Sequence, residues 1–127
     1  MKEGDEYRGT AVNTMGPSDF KVKANGGVYI HRKSLRGKPG LVKFYAPWCG
    51  HCKTMVPTLK KLAKTLQPYD VHVGSVNCDD ARNEELAESV GVEGYPSIYM
   101  VKKSGRLVEY HGNHDAKSLI RGIEQHV

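Results

Sequence analysis

The chain has 127 residues, of which 39% are hydrophobic and 26% charged, and this suits one globular domain with its own core. Its formal charge is +5, but the 19 lysines and arginines are scattered and match no nucleic-acid-binding motif, so we expect neither DNA nor RNA as a partner. No run approaches the roughly 18 apolar residues of a membrane span, and three cysteines do not suit a disulfide-stapled scaffold.

The first part of the chain is polar and contains several glycines. Residues 1–17 have few apolar side chains, so we expect a flexible or loosely docked extension. The alternation at 20–23 predicts a strand, and the glycines at 25–27 predict a turn. The apolar run at 28–30 predicts either a second strand or the approach to a short helix ending near Leu35.

A buried strand followed by a long helix forms the middle of the chain. Residues 41–46 are apolar on both faces except at Lys43, which is typical of a strand in a sheet covered on both sides. Apolar residues then recur on one helical face, at Met55, Leu59, Leu62, Ala63 and Leu66. These predict a helix over 49–66, in which Pro57 indicates either a kink or a division into two shorter helices.

Strands and helices continue to alternate towards the C-terminus. The predicted elements are a strand at 71–76, a helix ending near 90, strands at 97–101 and 106–111, and an amphipathic helix at about 116–123. Asp79 and Asp80 are placed to cap the first of these helices. Helical crossovers imply parallel neighbours, whereas the short turn at 102–105 implies an antiparallel pair. The order therefore predicts an α/β domain with a mixed sheet and helices on both faces.

A pair of cysteines lies where the central strand passes into the long helix. Residues 46–53 read APWCGHCK, and Cys49 and Cys52 share one helical face at a spacing that allows a disulfide. Cys49 lies near the helix N-terminus, where free N–H groups and the macrodipole favour an anion such as a thiolate. This placement indicates a reactive nucleophile rather than a structural cross-link.

The APWCGHCK motif resembles the active-site motif of protein disulfide isomerases, a branch of the thioredoxin family. Pro57, five residues after Cys52, and the pair Tyr95-Pro96 also match that family, and the resemblance covers 18–127. It implies a thioredoxin fold and exchange of disulfides with protein or peptide substrates that contain cysteines. It also implies no metal or organic cofactor, a monomer, and a thiol/disulfide electron partner such as glutathione or an oxidase.

The motif assigns a role to each of its central residues. We expect Cys49 to attack a client disulfide and Cys52, one turn deeper, to resolve the mixed disulfide. Partial positive charge on His51 should stabilise the Cys49 thiolate and make the pair oxidising, the alternative being an exposed histidine with no role. Gly50 allows a client chain to approach, and Trp48 shields the site or offers a docking surface.

The resemblance also assigns a role to the loop before the strand at 97–101. It implies that Pro96 has a cis peptide bond and faces the two cysteines. It further implies that the backbone of Tyr95 pairs with an extended client peptide, which is a form of strand addition. Spacing alone does not predict a cis bond, because only about 5–6% of X–Pro bonds are cis.

The third cysteine, Cys78, follows a predicted strand, and we expect a buried, unreactive thiol there. A metal site built from the three cysteines and a histidine is a formal alternative. A structural zinc site ordinarily needs a second paired motif, however, and this chain has a single CxxC. The sequence therefore predicts no metal.

Two positions depart from the family pattern. Six residues before Cys49 the family usually carries a buried acidic residue that moves protons for the second thiol, and here Lys43 stands there. His114 replaces an arginine that often follows the last strand. We expect Lys43 to point inward below Cys52 and either to accept its proton or to stabilise its thiolate as a cation. If its stem instead extends to water, it contributes only packing.

Three functions fit these features. The first is an isomerase-type or oxidase-type oxidoreductase, the second a thioredoxin-like reductase, and the third a client-binding chaperone module with an incidental dithiol. The two cysteines together with His51 weigh against the third. The resemblance implies the endoplasmic reticulum lumen or another secretory compartment. The two ends of the sequence show neither the apolar stretch of a signal peptide nor a retention tetrapeptide, so a cytoplasmic location stays open.

Overall fold

The structure, a computed structural model, describes residues 5–126. From residue 20 onward its strands and helices follow the predicted order. The strands are β1 (Asn13–Thr14), β2 (Phe20–Val22), β3 (Val28–Ile30), β4 (Gly40–Tyr45), β5 (His72–Asn77), β6 (Ser97–Val101) and β7 (Leu107–Tyr110). The α-helices are α1 (Gly50–Leu66), α2 (Glu84–Val90) and α3 (Ala116–Gln125). Of the two possibilities for 28–30, a strand forms, and a short 3-10 helix follows it at Lys33–Leu35.

The central sheet is mixed, with strand order β1-β5-β4-β6-β7. β4 runs parallel to β5 and antiparallel to β6, so it has a hydrogen-bonded strand on each side. β2 and β3 form a separate antiparallel hairpin. The predicted mixed sheet is therefore present, with the CxxC pair just beyond the end of its middle strand.

Alternation along β4 divides the core into two layers. Leu41 and Tyr45 pack with side chains of α1 and α3, whereas Val42 and Phe44 pack with α2 and the β2–β3 hairpin. Successive side chains of a strand point to opposite faces, so Lys43 lies on the α1 side. Helices thus cover both faces of the sheet, and Lys43 is directed towards the helix that carries the cysteines.

The helices follow their sequence signals with two differences. α1 is continuous over 17 residues with Pro57 inside it, so the alternative of two shorter helices is wrong. The predicted second helix begins as a 3-10 turn, which Asp80 caps by accepting the Arg82 N–H, and continues as α2. Within residues 5–126, the helices are all too short or too polar to cross a lipid bilayer.

The expected flexible extension over 1–17 is instead packed onto the domain wherever the structure describes it. Tyr7, Val12 and Met15 are only 2–3% exposed, and β1 adds to the sheet beside β5, with Asn13 opposite Gly74. Glycine is needed at position 74 because a Cβ there would collide with the Met15 sulfur. The prediction failed because three apolar anchors in a polar stretch carry no helical or strand periodicity. Residues 1–4 lie outside the described part.

Candidate active site

The two cysteines differ sharply in environment. Cys49 is the N-cap of α1, and its Sγ accepts a hydrogen bond from the Cys52 backbone N–H at 3.2 Å. Cys49 is half-buried, whereas Cys52 is only 1% exposed, and both are free thiols. A sulfur that accepts a helix N-terminal N–H gains stability as a thiolate. Position and access therefore both favour Cys49 as the attacking group.

Cys52 is poorly suited to ionise without help. Burial, together with the neighbouring Cys49, raises the pKa of the Cys52 thiol to about 11. A backbone contact from Ala46 and the charge of Lys43 act in the opposite direction. The buried thiol is therefore protonated at neutral pH, and its use as a nucleophile requires a route for that proton.

Lys43 lies directly below Cys52, with its side chain fully buried. Its ammonium group donates hydrogen bonds to the Cys52 carbonyl oxygen at 2.8 Å and to the Tyr7 hydroxyl at 2.5 Å. Burial lowers the pKa of Lys43 to about 8, against the opposing effects of Cys52, Glu6 and Cys49. The stem does not reach water, so the alternative of a lysine that only packs its stem is contradicted.

Tyr7 is a site residue that sequence reasoning missed. Its ring and that of Tyr45 meet edge to face at 5.6 Å, and the Lys43 Nζ lies 5.0 Å from the centre of each. The Tyr45 hydroxyl donates to a Glu6 carboxylate oxygen at 3.1 Å. Burial raises the pKa of both phenols, so both stay protonated. The only sequence signal for Tyr7 is a large aromatic side chain in a polar stretch.

The loop before β6 faces Cys49. The Tyr95–Pro96 peptide bond is cis, as the family resemblance implied, and the Cys49 thiol donates to the Tyr95 carbonyl oxygen at 3.7 Å. Trp48 is 58% exposed and Tyr95 39%, and their rings meet edge to face at 6.0 Å. Asp79 does not cap a helix but accepts the Trp48 indole N–H at 3.1 Å. The exposed thiol therefore has an anchored aromatic pair beside it.

The remaining motif residues lie on the solvent side of the site. Gly50 is exposed, and a Cβ there would meet nothing within 4 Å, so the surface around it is open. His51 is exposed, and its ring lies 5.1 Å from that of His114 at a 33° tilt. Burial, His51 and Lys43 together lower the pKa of His114. His114, which replaces the arginine of the family pattern, thus contacts the CxxC motif through His51.

Cys78 follows β5 and is not part of the CxxC pair. It is half-buried and donates weakly to the Val76 carbonyl oxygen at 3.8 Å, and burial raises the pKa of its thiol to about 11. A thiol with this pKa is almost entirely protonated at neutral pH and is a poor nucleophile. Over residues 5–126 no three histidine, cysteine or acidic side chains come together as a metal site would require.

The chain is similar to proteins of known family. The sequence model of the thioredoxin family matches residues 29–125. The chain belongs to the thioredoxin family. It is 40% identical over 117 residues to protein disulfide-isomerase 1 of Dictyostelium discoideum, covering 91% of this chain and 30% of that protein. It is also 40% identical over 90 residues to the protein disulfide-isomerase of Hordeum vulgare, covering 70% of this chain and 17% of that protein.

Solved structures agree with the sequence relatives. The J-Trx1 fragment of ERdj5 superposes with a TM-score of 0.76 at 25% identity, covering 98% of this chain and 56% of the fragment. The predicted thioredoxin fold is thereby confirmed, as is the predicted resemblance to the thioredoxin-like domains of protein disulfide isomerases. The chain spans about a third or less of the length of these curated relatives.

Proposed function

We propose that this thioredoxin-family member oxidises and rearranges disulfides in cysteine-containing protein clients. The observation that carries the proposal is the asymmetry of the CxxC pair. Cys49 Sγ is accessible and accepts a helix N-terminal N–H, whereas Cys52 is buried one turn deeper. Such a pair lets a client reach one sulfur only, and keeps the second for an intramolecular step.

Oxidation of a client begins from the Cys49–Cys52 disulfide. A client thiolate attacks Cys49 Sγ, the client–Cys49 bond forms, and the Cys49–Cys52 bond breaks with Cys52 leaving as a thiolate that takes up a proton. A second client thiolate then attacks the client sulfur of the mixed disulfide, and Cys49 leaves as a thiolate. Two electrons pass from the client dithiol to the enzyme. Glutathione disulfide or an oxidase accepts them and re-forms the pair.

Isomerisation begins from the reduced form. The Cys49 thiolate attacks a client disulfide and releases one client sulfur as a thiolate, which can then attack elsewhere in the client. If the client does not rearrange, Cys52 must attack Cys49 Sγ and release the client. That escape step requires Cys52 to lose its proton, so the environment of the buried thiol decides how long a client stays bound.

The loop and the aromatic pair support a role in client binding. The Tyr95 carbonyl already faces the Cys49 sulfur, so an extended client chain paired with this backbone would bring its own sulfur to the same place. Trp48, Tyr95 and Pro96 would contact the side chains on either side of the client cysteine. Aromatic rings offer large contact areas at low conformational cost, which suits varied clients.

His51 supports the oxidising direction. A histidine beside the Cys49 thiolate stabilises the reduced form by electrostatics, and a stabilised dithiol makes its disulfide a stronger oxidant. The neighbouring His114 is a second imidazole that competes with His51 for positive charge. A thioredoxin-like reductase would need the opposite balance, so the reduction potential separates the two directions.

Lys43 supports deprotonation of Cys52. As a cation it favours the Cys52 thiolate, and as a neutral amine it can accept the thiol proton. Its pKa of about 8 makes both forms accessible near neutral pH. We propose that it takes over, with the charges reversed, the proton-handling role of the acidic residue that the family pattern usually has at this position.

Refolding of scrambled ribonuclease in a glutathione buffer tests the activity. The parent chain should restore ribonuclease activity, and Cys49→Ser should abolish this. Cys78→Ser is the matched control because it makes the same change outside the pair, and it should leave the activity intact. Isomerase activity that survives Cys49→Ser would exclude the dithiol mechanism and leave a chaperone module, whereas reduction of client disulfides without refolding would indicate a reductase.

The cellular setting follows from the same proposal. Similarity to protein disulfide isomerases supports a secretory compartment, where disulfides form and persist, and the endoplasmic reticulum lumen in particular. We further propose that the domain acts as a monomer. Protease protection of the tagged protein in intact microsomes tests the compartment, and a cytosolic signal would favour the reductase alternative.

A further inference from the structure

The buried amino group of Lys43 is held by a segment that the CxxC motif does not predict. Among residues 5–126, its hydrogen-bond acceptors are the Cys52 carbonyl oxygen and the Tyr7 hydroxyl oxygen. Tyr7 lies 36 residues before Lys43, so one of these acceptors comes from the N-terminal segment, residues 5–17. A buried ammonium with a missing acceptor is costly, so the Tyr7 hydroxyl controls where the amino group sits.

Local structure holds Tyr7 in place. Its carbonyl oxygen accepts hydrogen bonds from the Thr10 backbone N–H at 3.2 Å and the Thr10 hydroxyl at 2.7 Å. The Thr10 hydroxyl also accepts a hydrogen bond from the Val12 backbone N–H at 3.2 Å, and Val12 is buried. β1 then fastens the segment to the sheet. The Tyr7 hydroxyl is therefore an ordered, directed group.

We propose that Tyr7 is a positioning residue that keeps the Lys43 amino group against the Cys52 backbone and helps to set its charge, an inference that rests on the proposed function. The phenol is suited to this task because it can accept a hydrogen bond from the ammonium and donate one to the neutral amine. It therefore stays bonded to Lys43 in both protonation states. The N-terminal segment thereby becomes part of the apparatus that controls release of a bound client.

The charge of Lys43 depends on several groups around it. Those that face it are Tyr7 and Glu6 of the N-terminal segment, Tyr45 of β4, Cys49 and Cys52 at the start of α1, and His114 before α3. Of these, Tyr7 is the side chain that hydrogen-bonds directly to the amino group. Without this hydroxyl the amino group is no longer held against the Cys52 backbone, which should weaken both its stabilisation of the Cys52 thiolate as a cation and its access to the thiol proton as an amine.

Tyr7→Phe is the direct test because it removes the hydroxyl and keeps the ring. In the full chain, rapid mixing of the reduced protein with a disulfide-bonded peptide, followed by acid quench and mass spectrometry, gives the rates of mixed-disulfide formation and resolution. We expect formation to be unchanged and resolution near pH 7 to be about tenfold slower, with the midpoint of its pH profile about one unit higher. Unchanged resolution and an unchanged midpoint would overturn the proposal.

Tyr99→Phe provides a matched control, because Tyr99 is also buried but lies in the layer on the opposite face of the sheet. It should leave the pH midpoint of resolution unchanged. A double-mutant cycle with Lys43→Met separates positioning from general packing. In that background Tyr7→Phe should have no further effect on resolution, and an equal slowing in both backgrounds would show a structural effect and overturn the proposal.

The parent protein gives an independent answer if Tyr7→Phe does not fold. Carbon-13 NMR of the Lys43 ε-carbon, the Tyr7 ζ-carbon and the Cys52 β-carbon should show a shared titration midpoint when Lys43 changes charge. Three unrelated midpoints would overturn the inference. If no variant forms a mixed disulfide at all, the proposed function fails first, and this outcome is distinct from formation without a Tyr7 effect.

Discussion

Replacing Lys43 with methionine tests the energetics of the buried charge. Methionine has a similar length and no charge, so it fills the same space below Cys52. At neutral pH the parent must bury an ammonium on folding, whereas the variant does not. The free energy of unfolding of the two proteins should therefore differ by an amount that changes with pH as Lys43 loses its proton.

The size of this change follows from the pKa of Lys43, which burial lowers from 10.5 to about 8. Between these two values the unfolded lysine holds a proton that the folded one has lost, so the parent gains stability as pH rises through that window. The total gain is roughly 3 kcal/mol. Loss of hydrogen bonds to Tyr7 and to the Cys52 carbonyl costs the variant about 1–3 kcal/mol per orphaned group, but this cost is nearly independent of pH.

Urea unfolding of both reduced proteins, followed by circular dichroism between pH 7 and 10.5, measures the difference. The stability of Lys43→Met relative to the parent should fall by roughly 3 kcal/mol across this range. Groups distant from Lys43 that titrate in the window are common to both proteins and cancel in the comparison, whereas Cys52, whose pKa the Lys43 charge lowers, adds a contribution of its own. Lys61→Met, at an exposed position on α1, should show a constant difference from the parent. A constant difference for Lys43→Met as well would refute a buried ammonium.

Three further results are expected. Cys52→Ser should accumulate mixed disulfides with clients, and Cys49→Ser and Cys78→Ser should not, as judged by non-reducing gels after acid quench; equal trapping by the first two would contradict the assigned roles. His51→Pro should lower the reduction potential by tens of millivolts in glutathione redox buffers, since about 30 mV corresponds to roughly 1.4 kcal/mol, and an unchanged potential would exclude His51 as its source. Burial lowers the pKa of His72 from 6.5 to about 4, so the parent should lose roughly 3 kcal/mol of stability as pH falls through that window, whereas His72→Gln should not. Urea unfolding that gives both proteins the same change in free energy of unfolding with pH would contradict this.

Local sequence patterns predicted most of the fold and the position of the cysteine pair. The strand at β4, the helix at α1 and the cysteines at their junction all depend on periodicity and end effects that act within a few residues. The same holds for the hairpin of β6 and β7, whose turn is short. Family resemblance then added the cis bond at Pro96, which spacing alone does not predict.

Contacts between distant segments could not be predicted in this way. Asp79 looked like a helix cap because it precedes a helix, yet it bonds Trp48, 31 residues earlier in the chain. His114 was identified only by its place in a family pattern, and its stacking on His51 depends on how the segment before α3 packs. The contacts of such side chains depend on which groups are close in the folded state, and local sequence periodicity does not predict this.

By itself the sequence indicated the chemistry that this protein is suited to, because a helix N-terminus and a CxxC spacing predict a nucleophile and its resolving partner. Only the tertiary structure decided what surrounds the resolving thiol. Tyr7, in a stretch without periodicity, reaches Lys43 from 36 residues away and holds its amino group below Cys52. The physical reason is that a buried charge needs hydrogen-bond acceptors close to it. Tertiary packing decides which groups are close, and these often come from segments that are far apart along the chain.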